Sequence, residues 1–289
     1  MGPGFRRDDH TIPGDAVSNT SALKNITGTI ALAGAGKMGG AMLTGWLAGG
    51  LDAQQIMVIE PMPSAEIKAL AARGVRLNPN AVGTVETLVV AVKPQSFRDA
   101  GTQLKSLVGP TTLVVSIMAG TTIAALTEVC GGAVVRAMPN TPAAIGRGVT
   151  VAVPASTVSV AQRATADALL RATGSVEWVE DERLMDAVTA VSGSGPAYIF
   201  LLAEELARAG VAAGLPEELA TRLARETVAG SGELLHRSDL SAATLRQNVT
   251  SPGGTTAAAL SVLMAEDGLQ QLMIRAIAAA TARSKELAK

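Results

Sequence analysis

The sequence offers few of the side chains that build metal sites, disulfides and hydrolytic triads. Its 289 residues include one cysteine, Cys130, and two histidines, His10 and His236. A single cysteine cannot form a disulfide within the chain, and three scattered soft ligands lack the clustered spacing of a zinc site. His10 lies near the amino terminus and His236 in an amphipathic segment, so neither is placed as a catalytic base. We therefore predict no metal, no disulfide and no histidine-based hydrolysis, and we expect a cytoplasmic protein.

Charge and aromatic content argue against nucleic acid as a partner. The formal net charge is -1 and only 2% of the residues are aromatic. The chain therefore lacks both a basic excess to neutralise phosphates and rings to stack on bases. The uncharged stretch 187–203 contains the sequence Ser-Gly-Ser-Gly-Pro, which favours buried helices over a membrane span. We expect neither nucleic-acid nor membrane partners.

Residues 28–180 show the pattern of βαβ units. Short β-branched runs alternate with alanine-rich stretches, which predicts a parallel sheet with helices between its strands. Seven strands are predicted: Ile30–Ala33, Met57–Ile59, Leu88–Val92, Thr112–Ile117, Ala133–Ala137, Thr150–Val153 and Val176–Val179. Residues 1–27 lack this pattern, and we predict a flexible extension there.

Beyond residue 180 the strand signals stop and the sequence becomes helical. Four helical segments are predicted: Leu184–Gly210, Pro216–His236, Ala242–Val249 and Gly268–Ala288. Some of these segments, such as Ala276–Ala282, are apolar on more than one face and must be buried. A single layer of helices cannot cover that surface by itself. We predict that residues 181–289 form an all-α dimerisation domain covered by a second copy of the chain.

A glycine-rich turn between the first strand and the first helix predicts a dinucleotide site. Gly34, Gly36 and Gly39 form a G-x-G-x-x-G motif in that position. The first glycine permits the tight turn, the second lets the backbone approach a pyrophosphate, and the third lets the helix pack close to the strand. The helix start adds N–H groups for the phosphates. We predict a Rossmann-type domain that binds NADPH or NADH through Gly34, Gly36, Lys37, Met38 and Gly39.

The end of the second strand bears on the choice of cofactor. Glu60 lies there, close to the spacing of about 20 residues after the motif at which an acidic ribose ligand is expected. Its charge would repel a 2′-phosphate, which favours NADH. The loop Pro61–Ser64 leaves NADPH open, because Ser64 could contact a phosphate there.

Two further segments lie at the carboxyl ends of predicted strands, at the sheet edge where ligands bind. Ala91, Lys93 and Pro94 lie in the first, and Lys93 is either a phosphate or ribose contact or a solvated turn lysine. Asn140 lies in the second, between two prolines, and either binds the nicotinamide carboxamide or organises nearby backbone. We predict cofactor contacts at Ala91, Lys93, Pro94 and Asn140.

The helical half contains one turn that a plain helical bundle does not need. Ser251-Pro252-Gly253-Gly254-Thr255-Thr256 precedes an alanine-rich helical run. Such a turn presents consecutive N–H groups and hydroxyls at the positive end of a helix, which favours a carboxylate or phosphate site. The alternative is an elaborate helix cap, although Ser251 or Thr255 alone would have sufficed as a cap.

Taken together, these segments resemble pyrroline-5-carboxylate reductases. The resemblance runs from about residue 28 to the carboxyl terminus. It implies a Rossmann-type domain followed by a helical dimerisation domain, and NAD(P)H-dependent reduction of the cyclic imine 1-pyrroline-5-carboxylate to L-proline, the final step of proline biosynthesis. It also implies homodimers or rings of dimers whose active sites are shared between subunits. The segments that carry it are Gly34–Gly39, Ala91–Gln95, Arg136–Ala143, Asp186–Tyr198 and Asn248–Thr256.

The same resemblance assigns roles in the turn. It implies that backbone N–H groups of Ser251, Gly253, Gly254, Thr255 and Thr256 hold the substrate carboxylate. The Thr256 hydroxyl would lie near the ring nitrogen as the catalytic group. Two alternatives are a related reductase of another small imino or hydroxy acid, and a catalytically silent module that senses dinucleotides.

Overall fold

The computed structural model describes residues 22–80 and 82–287, which divide into two compact units. One unit ends at Met185 and the other comprises residues 186–287. Most of the extension predicted over residues 1–27 lies outside the described residues. Leu23 and Ile26 are described, however, and both are buried in the core of the first unit. That core therefore begins earlier than the predicted start at residue 28.

The first unit is built on one eight-stranded sheet. Its strands are β1 (Ile30–Ala33), β2 (Ile56–Ile59), β3 (Arg76–Leu77), β4 (Val85–Val90), β5 (Val108–Ser116), β6 (Ala133–Met138), β7 (Gly148–Pro154) and β8 (Gly174–Trp178). They lie in the order β3-β2-β1-β4-β5-β6-β7-β8. The predicted Rossmann-type sheet is confirmed. Two details were missed: the two-residue edge strand β3, and the antiparallel pairing of β6 with β7 in an otherwise parallel sheet.

Helices cover both faces of this sheet. They are α1 (Lys37–Ala48), α2 (Ala65–Ala71), α3 (Pro94–Ser106), α4 (Ile123–Cys130) and α5 (Val160–Arg171). One core contains the fully buried Trp46, whose indole N–H donates to the Leu169 carbonyl at 2.8 Å. The core on the other face contains Phe97 and Leu126. Burial on both faces explains why the central strands read as continuous apolar runs.

The second unit is helical. After the short α6 (Met185–Val188) and a π-helix (Thr189–Gly193), its helices are α7 (Gly195–Ala212), α8 (Glu217–Arg237), α9 (Ala242–Asn248), α10 (Thr255–Leu263) and α11 (Leu269–Leu287). The helical character predicted over Leu184–Gly210 is confirmed, and the π-helix divides the segment into α6 and α7. Pro196 lies in the first turn of α7, where its missing N–H breaks no helical bond.

Large apolar side chains lie on the surface of the second unit. Phe200 on α7 is 67% exposed and Val262 on α10 is 70% exposed. Leu234 on α8 is also exposed. Exposed apolar surface on this scale indicates an interaction face. Among the described helices, none is both long and apolar enough to cross a membrane.

Candidate active site

The glycine-rich turn has the shape that a dinucleotide requires. Gly34 has φ of 91°, and a Cβ placed there would lie 2.6 Å from the Ala91 carbonyl oxygen. A Cβ at Gly39 would lie 2.1 Å from the Gly34 carbonyl oxygen, so α1 packs tightly against the turn. A Cβ at Gly36, in contrast, would meet no atom within 4 Å. The space beside Gly36 is therefore open to a pyrophosphate, while the other two glycines fit the fold itself.

The start of α1 supplies hydrogen-bond donors to that open space. Gly36 is the N-cap residue, and no side chain caps the start of the helix. The first bond of the helix runs from the Gly40 N–H to the Gly36 carbonyl at 2.7 Å. Within the described part of the chain, the N–H groups of Lys37, Met38 and Gly39 therefore have no recorded acceptor. Such groups at a helix start bind phosphate well.

Two other predicted cofactor residues flank this turn. Ala33 pairs with Ile59 on one side and with Val90 on the other, so Glu60 and Ala91 both lie next to Gly34. The Ala91 N–H donates to the Ala33 carbonyl at 2.7 Å. Strand order reverses between β1 and β4, and open α/β sheets bind ligands at such a switch point.

The remaining predicted cofactor contacts, at Lys93, Pro94 and Asn140, lie outside the residues that flank the glycine-rich turn. Lys93 is the exposed N-cap residue of α3, and Pro94 occupies the first helical position. Asn140 precedes the 3-10 helix Thr141–Ile145, which contacts α1. The Asn140 Oδ1 accepts the Val149 N–H at 3.0 Å. Asn140 thus organises backbone, one of its two predicted roles, and its contact with nicotinamide stays a prediction.

Both carboxylate oxygens of Glu60 accept backbone N–H groups. Oε2 accepts from Ala35, inside the glycine-rich turn, at 2.8 Å, and Oε1 accepts from Met62 at 3.0 Å. Each oxygen keeps a lone pair for a ribose hydroxyl. The Ser64 hydroxyl caps α2 by accepting the Ile67 N–H at 3.3 Å. A negative charge therefore lies against the turn, and the contact of Glu60 with ribose stays a prediction.

The sequence interpretation missed Asn78, which holds the backbone of Glu60. Its Oδ1 accepts the Glu60 N–H at 2.9 Å, and its Nδ2 donates to the Glu60 carbonyl at 2.8 Å. Asn78 and Asn80 also line a cavity of about 440 Å³. The Asn78-Pro79 dipeptide was the available signal, because such pairs mark turns.

The second unit carries the turn predicted to bind a carboxylate. The Gly254 N–H donates to the Ser251 carbonyl at 3.0 Å, and Gly253 has φ of 71°. A positive φ at the residue after Pro252 is typical of a type II turn. The N-cap residue of α10 is Gly254, and no side chain caps the helix start. The alternative capping role of Thr255 was therefore wrong. Ser251 does not cap the helix either.

The start of α10 leaves several donors available. Among the described residues, the N–H groups of Thr255, Thr256 and Ala257 have no recorded acceptor, and the first helical bond comes from Ala258. Thr256 is half-buried, and its hydroxyl has no hydrogen bond recorded in the same part of the chain. This arrangement fits an anionic group with one further acceptor beside it.

Comparison with known proteins identifies the family. The family model for pyrroline-5-carboxylate reductase dimerisation matches residues 182–287, and that for NADP oxidoreductase, coenzyme F420-dependent, matches residues 29–120. The pyrroline-5-carboxylate reductase of Pseudomonas aeruginosa is 40% identical over 91% of this chain and 98% of its own. That of Synechocystis is 42% identical over 82% of this chain and 89% of its own. The chain belongs to the pyrroline-5-carboxylate reductase family.

Solved structures of pyrroline-5-carboxylate reductases agree with this assignment. The enzyme from Coxiella burnetii is 35% identical with a TM-score of 0.84, covering 91% of this chain and 100% of its own. The Plasmodium falciparum enzyme, solved with NADP bound, is 28% identical with a TM-score of 0.72, covering 92% and 99%. Three predictions are thereby confirmed: the fold, the use of NADPH or NADH, and the reduction of 1-pyrroline-5-carboxylate to L-proline. In this reductase, all predicted cofactor residues lie in the first unit and all predicted substrate residues in the second.

Proposed function

We propose that this reductase holds the carboxylate of 1-pyrroline-5-carboxylate at the Ser251–Thr256 turn, with the Thr256 hydroxyl donating to the ring nitrogen. The observation that carries the proposal is the set of donors at the start of α10 that have no recorded acceptor among the described residues. The substrate presents one carboxylate and one imine nitrogen. Backbone N–H groups at the positive end of a helix match the carboxylate, and a hydroxyl matches the nitrogen.

The Thr256 hydroxyl acts on the charge that develops during reduction. The nicotinamide cofactor supplies hydride to the imine carbon. Negative charge then grows on the adjacent nitrogen, which takes up a solvent proton to complete the amine. A donor fixed at that nitrogen stabilises the transition state more than the ground state. Thr255 contributes its backbone N–H, and its exposed hydroxyl takes no part.

Glu60 sets a preference for NADH over NADPH. Its carboxylate is held beside the glycine-rich turn by the N–H groups of Ala35 and Met62. A ribose hydroxyl can donate to it, whereas a 2′-phosphate is repelled by it. The loop 61–64 contains no lysine or arginine that would offset the repulsion.

The assembly is a homodimer or a ring of dimers formed through the helical unit. Support comes from the exposed apolar side chains of α7, α8 and α10 and from the dimerisation-domain match. An obligate interface buries more than about 2,000 Å² in total. Sedimentation at working concentration tests this, because a fully active monomer would contradict it.

A substrate panel tests the activity itself. We expect loss of the reduced-nicotinamide absorbance when 1-pyrroline-5-carboxylate is added with NADH or NADPH. When small 3-hydroxy acids are added with NAD+ or NADP+, we expect a slower gain of that absorbance or none. A dinucleotide-sensing module would bind cofactor without turnover of any compound. Turnover of a hydroxy acid in preference to the imine would contradict the proposal.

A further inference from the structure

We propose that Asn78 is a positioning residue for cofactor selection, which fixes Glu60 so that its carboxylate accepts ribose hydroxyls and excludes a 2′-phosphate. The inference rests on the proposed role of Glu60. It assigns the discrimination between NADH and NADPH to two residues: Glu60, which contacts the cofactor, and Asn78, which acts through Glu60.

The contacts of Asn78 lie where the sheet stops pairing. Glu60 is the first residue after β2, and β3 beside it ends at Leu77. Without a further partner, the backbone of Glu60 would leave the sheet unpaired on that side. The Asn78 amide supplies both missing bonds, one to the Glu60 N–H at 2.9 Å and one to its carbonyl at 2.8 Å. Its own N–H donates to the Val58 carbonyl at 2.8 Å.

The backbone of Asn78 adopts a conformation that few residues tolerate. Its φ is 45°, and among the described residues it is the one non-glycine position with positive φ. Asparagine is the side chain that enters this left-handed region most readily besides glycine. A glycine would allow the same backbone but would lack the amide. The position therefore requires the left-handed conformation and both polar atoms of the side chain.

Fixing the backbone of Glu60 also fixes its carboxylate. With its N–H and carbonyl both held, the side chain starts from a defined position and reaches the Ala35 N–H at 2.8 Å. Ala35 belongs to the turn that approaches the pyrophosphate. Release of the Glu60 backbone would let the carboxylate move away from the turn, which weakens its contact with ribose and relieves its repulsion of a 2′-phosphate.

The experiment measures kcat/KM for NADH and for NADPH in Asn78→Gly. This variant keeps the backbone conformation and removes the amide. We expect kcat/KM for NADH to fall about threefold to tenfold, in line with the loss of one or two net hydrogen bonds, while that for NADPH does not fall. Asn78→Asp, which replaces the donor with an oxygen facing the Glu60 carbonyl, provides a second variant of equal size and should shift the ratio in the same direction.

Asn80→Gly is the matched control. Asn80 belongs to the same segment and lines the same cavity as Asn78, and no hydrogen bond of its side chain is recorded in the described part. We expect this control to leave the ratio of the two kcat/KM values unchanged. An equal fall for both cofactors in Asn78→Gly, with a lower Tm, would overturn the proposal by showing a purely structural role.

A double-mutant cycle separates this inference from the role of Glu60. If Asn78 acts through Glu60, then Asn78→Gly should not change the ratio in a Glu60→Ala background. If Glu60→Ala shifts the ratio and Asn78→Gly does not, the inference about Asn78 fails and the role of Glu60 stands. If Glu60→Ala does not shift the ratio, both fail.

Discussion

Replacement of Thr256 by valine tests the chemistry assigned to the α10 turn. Valine keeps the branched shape of threonine and removes only the hydroxyl. That hydroxyl has no hydrogen bond recorded within the described residues, and Thr256 is half-buried at the second position of the helix. Its loss therefore leaves no protein group unsatisfied, and the Tm should stay nearly unchanged.

Loss of the Thr256 hydroxyl should raise the free energy of the transition state. A hydrogen bond to a group that gains charge contributes about 1.5–3 kcal/mol. At about 1.4 kcal/mol per tenfold, kcat/KM should fall by about tenfold to a hundredfold. Affinity for the cofactor should not change, because the predicted cofactor contacts are all in the other unit.

Steady-state kinetics with varied imine and saturating cofactor measure the effect. Thr255→Val is the matched control, because Thr255 has an exposed hydroxyl on the preceding residue and also lacks a recorded bond. We expect the control to keep most of its kcat/KM. Near-native kcat/KM in both variants would refute the reasoning, and the catalytic group would then have to be sought at the strand ends near Lys93 and Asn140.

The remaining predictions concern the turn, the cofactor, the interface and the thiol. Gly36→Ala should raise the KM for cofactor by about tenfold with an unchanged Tm, since its Cβ meets only open space. Gly39→Ala should instead lower the Tm. The reverse pattern would contradict a pyrophosphate site beside Gly36. Glu60→Ser should shift kcat/KM towards NADPH, and no shift would show that Glu60 does not face the ribose. Phe200→Asp should shift sedimentation towards monomer, because it places a charge on an exposed apolar face. A variant that sediments as an unaltered dimer would show that Phe200 is not in the interface. Burial raises the pKa of the Cys130 thiol to about 11, so the reactive thiolate is scarce at pH 8 and iodoacetamide should label the native protein slowly and the unfolded protein quickly; fast labelling of the native protein would contradict its burial.

The sequence predicted those elements whose signal is local and repeated. β1 has the predicted bounds, because four apolar residues precede an unmistakable glycine turn. α8 begins at Glu217, directly after Pro216, as an acidic first turn after a proline indicates. Elements of this kind follow from signals that are adjacent in the sequence.

The missed features leave no repeated local pattern in the sequence. β3 has only two residues at the edge of the sheet, too few to show a pattern. The π-helix is defined by bonds such as that from the Ser194 N–H to the Thr189 carbonyl at 2.8 Å, which composition does not reveal. The Glu60–Ala35 hydrogen bond joins residues 25 apart. It depends on the strand order, which brings both residues to one edge of the sheet.

The most direct test of the account follows the transferred hydrogen. The reductase is supplied with 1-pyrroline-5-carboxylate and NADH or NADPH carrying deuterium at both C4 positions of the nicotinamide, and the product is analysed by mass spectrometry and NMR. We predict L-proline with one deuterium on the ring carbon that is bonded to nitrogen and does not bear the carboxylate. Proline without deuterium, or no proline from either cofactor with folded protein, would contradict the account.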